Sequence, residues 1–278
     1  METHTMYTIR LGLLLLMVPL TTHAQEKTLF GLKVDKTPGD PGDYVLCPSR
    51  QFFDNAIKNG ADKTTFIYYA ARLVESDKNQ TTVKNLAGRT FSLPSEMVLP
   101  IPKGQTAKVG DVLLTWWQTG SGMQRAIVVG GKSKEPVVRY LDIKLDNPSG
   151  AGKREDRLKP DSFVVLSKPW QLGTTLRIKD TKRPNTLLHG QIVALDNQRV
   201  LIKGWNGKLS THERTHATPV PIVPQLAAND AIQISLFGSF KPATVVKVDK
   251  RIGRVFAKYQ FGRQDKEAAF AFGDVYAE

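Results

Sequence analysis

Apolar residues along this chain fall in short alternating runs rather than long helical stripes. Residues 112–116, 126–129, 137–141 and 200–203 alternate inward and outward positions and read as half-buried strands. Turn formers punctuate them: Thr119-Gly120-Ser121-Gly122, Gly130-Gly131, Asp196-Asn197, Asn206-Gly207 and Arg251-Ile252-Gly253. The pattern predicts an all-β chain. One helix is expected, over 52–59, as an insertion between the first two strands.

A motif recurs in this rhythm. A strand opened by a polar or acidic residue returns as Asp43-Tyr44-Val45-Leu46, Asp111-Val112-Leu113-Leu114, Thr174-Thr175-Leu176-Arg177 and Asp230-Ala231-Ile232-Gln233. Successive openings lie 68, 63 and 56 residues apart. That period exceeds a solenoid repeat and suits one very small β domain. Proline-bearing linkers are expected at 100–106, 167–173 and 219–229. Domains of about 60 residues bury only about 60% of their unfolded surface, so neighbouring modules must pack on one another, as a rod or as pairs.

The amino-terminal residues stand apart. Arg10 followed by the apolar run 11–20 and the small residue Ala24 has the layout of a signal peptide, so residues 1–24 are expected to be removed on export to the periplasm or the exterior. Ten apolar residues fall short of the roughly 20 that cross a bilayer as a helix, and no membrane span is expected in the mature chain. Cys47 is the sole cysteine, which excludes an intramolecular disulfide and a cysteine metal cluster. It is expected to be buried at a strand end.

Charge singles out the third module. The 278-residue chain carries a formal net charge of +13, and residues 168–224 hold nine Lys or Arg against three acids. Arg177, Lys179, Lys182, Arg183, Lys203 and Lys208 are the candidate ligands for an anionic polymer. An exported location argues against nucleic acid, which leaves an envelope polyanion or a protein as the expected partner.

The second module carries the clearest pattern: Gly110-Asp111 before the first strand, Arg125-Ala126 in the second, Tyr140-Leu141-Asp142 closing the third and Leu158-Lys159-Pro160 at the end. This order resembles the Tudor and Agenet superfamily of small bent barrels. Bacterial cell-wall-binding barrels of the Src-homology kind share much of the pattern. The other modules match in outline, the third least. The resemblance implies four tandem SH3-like or Tudor-like barrels, at 25–104, 105–167, 168–224 and 225–278. It also implies an aromatic cage for a cationic group, formed by Trp116 or Trp117 with Tyr140 and Asp142. The alternative use of these aromatics is packing within or between barrels.

One catalytic pattern is present. His212-Glu213-Arg214-Thr215-His216 matches H-E-x-x-H, in which two histidines on one helical face bind zinc and the glutamate activates water. Its surroundings are those of a turn: Gly204, Asn206 and Gly207 precede it, and Pro219 and Pro221 follow. The sequence therefore predicts a non-enzymatic binding or scaffold protein with no cofactor and no metal. A zinc metallopeptidase centred on His212 and His216 is the alternative.

Overall fold

In a computed structural model, the described residues are 29–34, 36–143, 145 and 154–277; the leader expected at 1–24 lies outside them. The chain is predominantly β. The first five strands are β1 (Tyr44–Pro48), β2 (Tyr68–Ser76), β3 (Gln80–Asn85), β4 (Thr90–Pro94) and β5 (Leu99–Pro100), with helix α1 (Arg50–Asn59) between β1 and β2. They pair antiparallel in the order β4-β3-β2-β1-β5. Next come β6 (Val112–Trp116), β7 (Met123–Lys132), β8 (Glu135–Tyr140), β9 (Glu155–Arg157) and β10 (Val164–Val165), in the order β10-β6-β7-β8-β9.

The remaining strands are β11 (Thr175–Lys179), β12 (Leu187–Leu195), β13 (Arg199–Gly204), β14 (Leu209–Glu213) and β15 (Ala217–Pro219), then β16 (Ala231–Leu236), β17 (Ser239–Asp249), β18 (Arg254–Phe261), β19 (Gln264–Ala271) and β20 (Val275–Ala277). Each group of five keeps the order of the first: its first strand lies between its second and its fifth. A bridge between Leu188 on β12 and Ser239 on β17 joins the last two groups into one sheet.

The recurring opening is a turn device. Gly42, Gly110 and Gly173 hold φ of 92°, 92° and 91°, and Asn229 holds 72° in the fourth group. Glycine suits this left-handed region because it has no Cβ, and asparagine tolerates it. Each of these residues donates its N–H to the second strand of its own group, at Leu73, Val128, Ile192 and Val245, over 2.8–2.9 Å. The acid that follows closes the turn: Asp43, Asp111 and Asp230 accept the backbone N–H three residues earlier through Oδ2, at 2.9, 2.9 and 2.7 Å. The next residue along each second strand, Val74, Val129, Val193 or Val246, is an unpaired bulge. A bulge bends its strand and increases the twist, which curls a short sheet.

Packing is not confined to consecutive groups. The first group meets the third, where Phe66 N–H donates to Gly207 O at 2.8 Å. The second meets the fourth through Arg125 and Asp274 at 2.8 Å. One buried apolar cluster includes Leu46, Leu114, Leu201 and Ile234, one from each group. Residues 29–34 lie across the first and third groups: Phe30 and Leu32 donate their N–H to Glu96 at 2.8 and 2.9 Å, Lys33 donates to Asp196 at 3.1 Å, and Arg199 donates to Gly31 O.

Candidate functional site

A cleft of about 460 Å³ opens between the first and second groups. Phe52 of α1, Tyr69 of β2, Phe91 of β4, Trp116 at the end of β6 and Trp117 beside it line it, and none of its lining side chains is charged. Phe52 and Tyr69 lie nearly parallel with centroids 6.5 Å apart. Trp117 lies flat against Gly120, where an added Cβ would come within 2.2 Å of the indole. Only glycine at that turn permits this ring position. The polar groups of the cleft are amides and hydroxyls, among them Ser49, Gln51, Asn85 and Gln118. Gln118 Nε2 is buried and lacks a hydrogen-bond partner among the described residues.

Of the four residues named for a cage, the cleft takes two. Trp116 is buried and packs on Tyr44 of the neighbouring group, with centroids 4.8 Å apart, while Trp117 is half-buried. Tyr140 belongs to the core of the second group; its hydroxyl donates to Asp156 at 2.9 Å and accepts Gln118 N–H at 2.9 Å. Burial raises the hydroxyl well above the ordinary tyrosine value. Asp142 lies beyond the end of β8 and accepts three bonds from Arg125: the backbone N–H at 2.6 Å, Nε at 2.9 Å and Nη2 at 2.5 Å. The four side chains do not enclose a common space, because Asp142 lines a different cavity from the two tryptophans. β8 ends at Tyr140, so the alternation that would have kept residues 140 and 142 on one face stops there.

The six basic candidates separate as well. Arg177 stacks over Tyr276 at 4.4 Å, Lys179 ends β11 exposed, and Lys182 and Arg183 occupy the turn before β12, with Arg183 paired to Asp180 at 2.8 Å. Lys208 is exposed on the turn between β13 and β14. Lys203 is drawn into a cavity where the second, third and fourth groups meet. Burial depresses the Lys203 ammonium below its ordinary value, against the opposing pull of Asp142.

The H-E-x-x-H pattern is not helical. His212 and Glu213 end β14, and His216 sits in a single 3₁₀ turn, Arg214–His216. The first group has a similar turn, Ser95–Met97, before β5, so the segment recurs as a strand connection. His212 Nε2 and Ser210 Oγ are 2.9 Å apart. No cluster of three or more His, Cys, Asp or Glu suited to a metal occurs among the described residues, and none of their helices is long and apolar enough to cross a membrane.

Phe52, Tyr69 and Phe91 were not singled out from the sequence. Aromatic doublets carry the signal: Phe52-Phe53, Tyr68-Tyr69 and Trp116-Trp117 each place one ring in the core and the other half-buried in the cleft.

No protein-family model matches the chain, and no curated protein matches it. Among solved structures it is similar to the crystal structure of AGD34 of Arabidopsis thaliana AGDP1, at 13% identity and a TM-score of 0.24, over 40% of this chain and 83% of that one. The strand order and turn geometry, rather than this likeness, define the fold.

Proposed function

We propose that this is an exported, non-enzymatic binding protein built of four SH3-like barrels, and that it holds an extended, uncharged peptide segment of a protein partner in the cleft between the first two. The observation that carries this reading is the composition of that cleft: five aromatic rings, no charged side chain, and the unpartnered amide donor of Gln118. Rings flanked by amides and hydroxyls grip apolar side chains while bonding backbone carbonyls, and a buried donor without an acceptor favours a ligand that brings one. A methylated ammonium group is a poorer match, since the cleft offers ring faces without the acid that strengthens such binding.

The test is a screen of the chain from residue 25 onward on immobilised peptides and glycans, repeated with Trp117→Ala. Uncharged extended peptides are expected to bind, with about tenfold or greater loss in the variant, the scale of a central aromatic contact, and little change between low and high salt. Retention that ignores Trp117→Ala but disappears in salt would return the function to the basic surface and an anionic polymer. Fractionation of cells carrying the full chain tests export.

A further inference from the structure

We propose that the cavity where the second, third and fourth groups meet is a binding site for an oxyanion group, carboxylate or phosphate, held by Lys203 and Arg254. This proposal does not rest on the peptide cleft.

The cavity measures about 450 Å³. Five ionised side chains line it: Arg125, Lys203 and Arg254 against Asp142 and Asp274, with His189 also present. Both carboxylates are already engaged. Arg125 reaches Asp142 at 2.5 Å and Asp274 at 2.8 Å through Nη2, and gives Nη1 to Phe272 O at 2.9 Å; His189 lies 3.2 Å from Asp274. Among the described residues the two remaining cations have no carboxylate in ion-pair contact. Arg254 is 4% exposed and spends Nη2 on the carbonyls of Tyr140 and Ile143, at 3.2 and 2.9 Å. Its Nε is buried without a hydrogen-bond partner among the described residues. The Lys203 ammonium makes no ion pair or hydrogen bond among them.

A cation removed from water is costly unless a counter-charge replaces the lost solvation. Arg125 is ion-paired with both carboxylates; among the described residues Lys203 feels Asp142, and Arg254 feels both, only without direct contact. Among the described residues, three cations against two carboxylates therefore leave an excess of positive charge facing a space wide enough for an ion. A guanidinium and an ammonium that line one cavity from separate strands are the donor types suited to a carboxylate or phosphate. The same excess of charge disfavours metal cations.

The experiment is a titration of the chain from residue 25 onward with sodium phosphate and, separately, sodium acetate, against sodium chloride at equal ionic strength. Trp205 at the rim of the cavity, 63% exposed, supplies a fluorescence signal, assigned by its loss in Trp205→Phe. Saturable binding of phosphate or acetate beyond the chloride response is expected, with at least tenfold weaker binding in Lys203→Met and unchanged binding in Lys208→Met. An equal response to chloride, or equal affinity in Lys203→Met, overturns the proposal. Should Lys203→Met fail to fold, amide shift mapping of the unmodified chain decides: perturbations centred on residues 125, 203 and 254 sustain the site, and perturbations centred on 179–183 overturn it. Sedimentation with phosphatidylglycerol vesicles separates two sources of phosphate. Retention that needs Lys203 places the group on a lipid headgroup; phosphate binding without retention places it in solution; both keep the site.

Discussion

Cys47 lies at 1% exposure on β1, and burial pushes its thiol from 9.0 to about 12. The folded chain therefore holds about a thousandfold less thiolate than an ordinary cysteine at neutral pH. A thiol reagent such as iodoacetamide is expected to modify Cys47 only after unfolding, with a rate that tracks global stability; rapid labelling of the native chain would contradict this placement. The burial of Cys47 was legible in the apolar run that contains it. The facing of each aromatic doublet was not, since alternation divides a doublet between two faces without saying which face meets a neighbour. Tyr140 and Asp142 show the complementary problem: two residues that an unbroken strand would present together part company where the strand stops.

Among elements, the repeated opening was the most legible part of the chain, because its backbone imposes a residue type. A left-handed position before an acid that closes its own turn leaves few choices beyond Gly-Asp and Asn-Asp. The bulges were silent, since valine is ordinary anywhere in a strand. The turns also differ in what surrounds them. A Cβ on Gly42 or Gly110 would meet nothing within 4 Å, whereas one on Gly173 would lie 2.7 Å from Leu114 of the neighbouring group. Gly42→Ala and Gly110→Ala are expected to cost about 1–2 kcal/mol, the strain of φ near 90° on alanine. Gly173→Ala should cost more, by about 1–3 kcal/mol of added crowding. Urea denaturation of the three variants checks the ranking, and equal losses would show that Leu114 moves aside freely. The H-E-x-x-H spacing brings two side chains together only on a helix, and the turn formers around it pointed instead to the strand and short turn that the segment forms.

For the whole molecule, the contacts that hold the groups together join residues remote in sequence, which neither linker length nor periodicity encodes. The sequence required the modules to pack but not that the first would meet the third and the second the fourth. Arg125 is the clearest such tie. Burial works against its charge, and Asp142 and Asp274 outweigh that penalty, so its affinity for the proton rises. Asp274 shifts the opposite way: burial raises it, but Arg125 and His189 bring it well below its ordinary 3.8. A folded-state value below the unfolded one supplies stability that is complete above the unfolded value and disappears as pH falls through the folded one. Stability is thus expected to drop as pH falls below about 4. Asp274→Asn should flatten that acid limb and cost about 1.5–3 kcal/mol at neutral pH, the range for hydrogen bonds to charged groups. Urea midpoints between pH 7 and pH 2 measure both, and identical acid limbs would remove Asp274 from the account.

The strap at residues 29–34 adds a dimension of time. A chain made from its amino end produces these residues well before their partners: Asp196, which receives Lys33, follows 163 residues later, and Arg199, which reaches Gly31, comes 168 residues after it. Closure over such a span waits for both ends to exist and for the intervening strands to form. Residues 29–34 are thus expected to be tied down last, a seal applied to an assembly that is already finished.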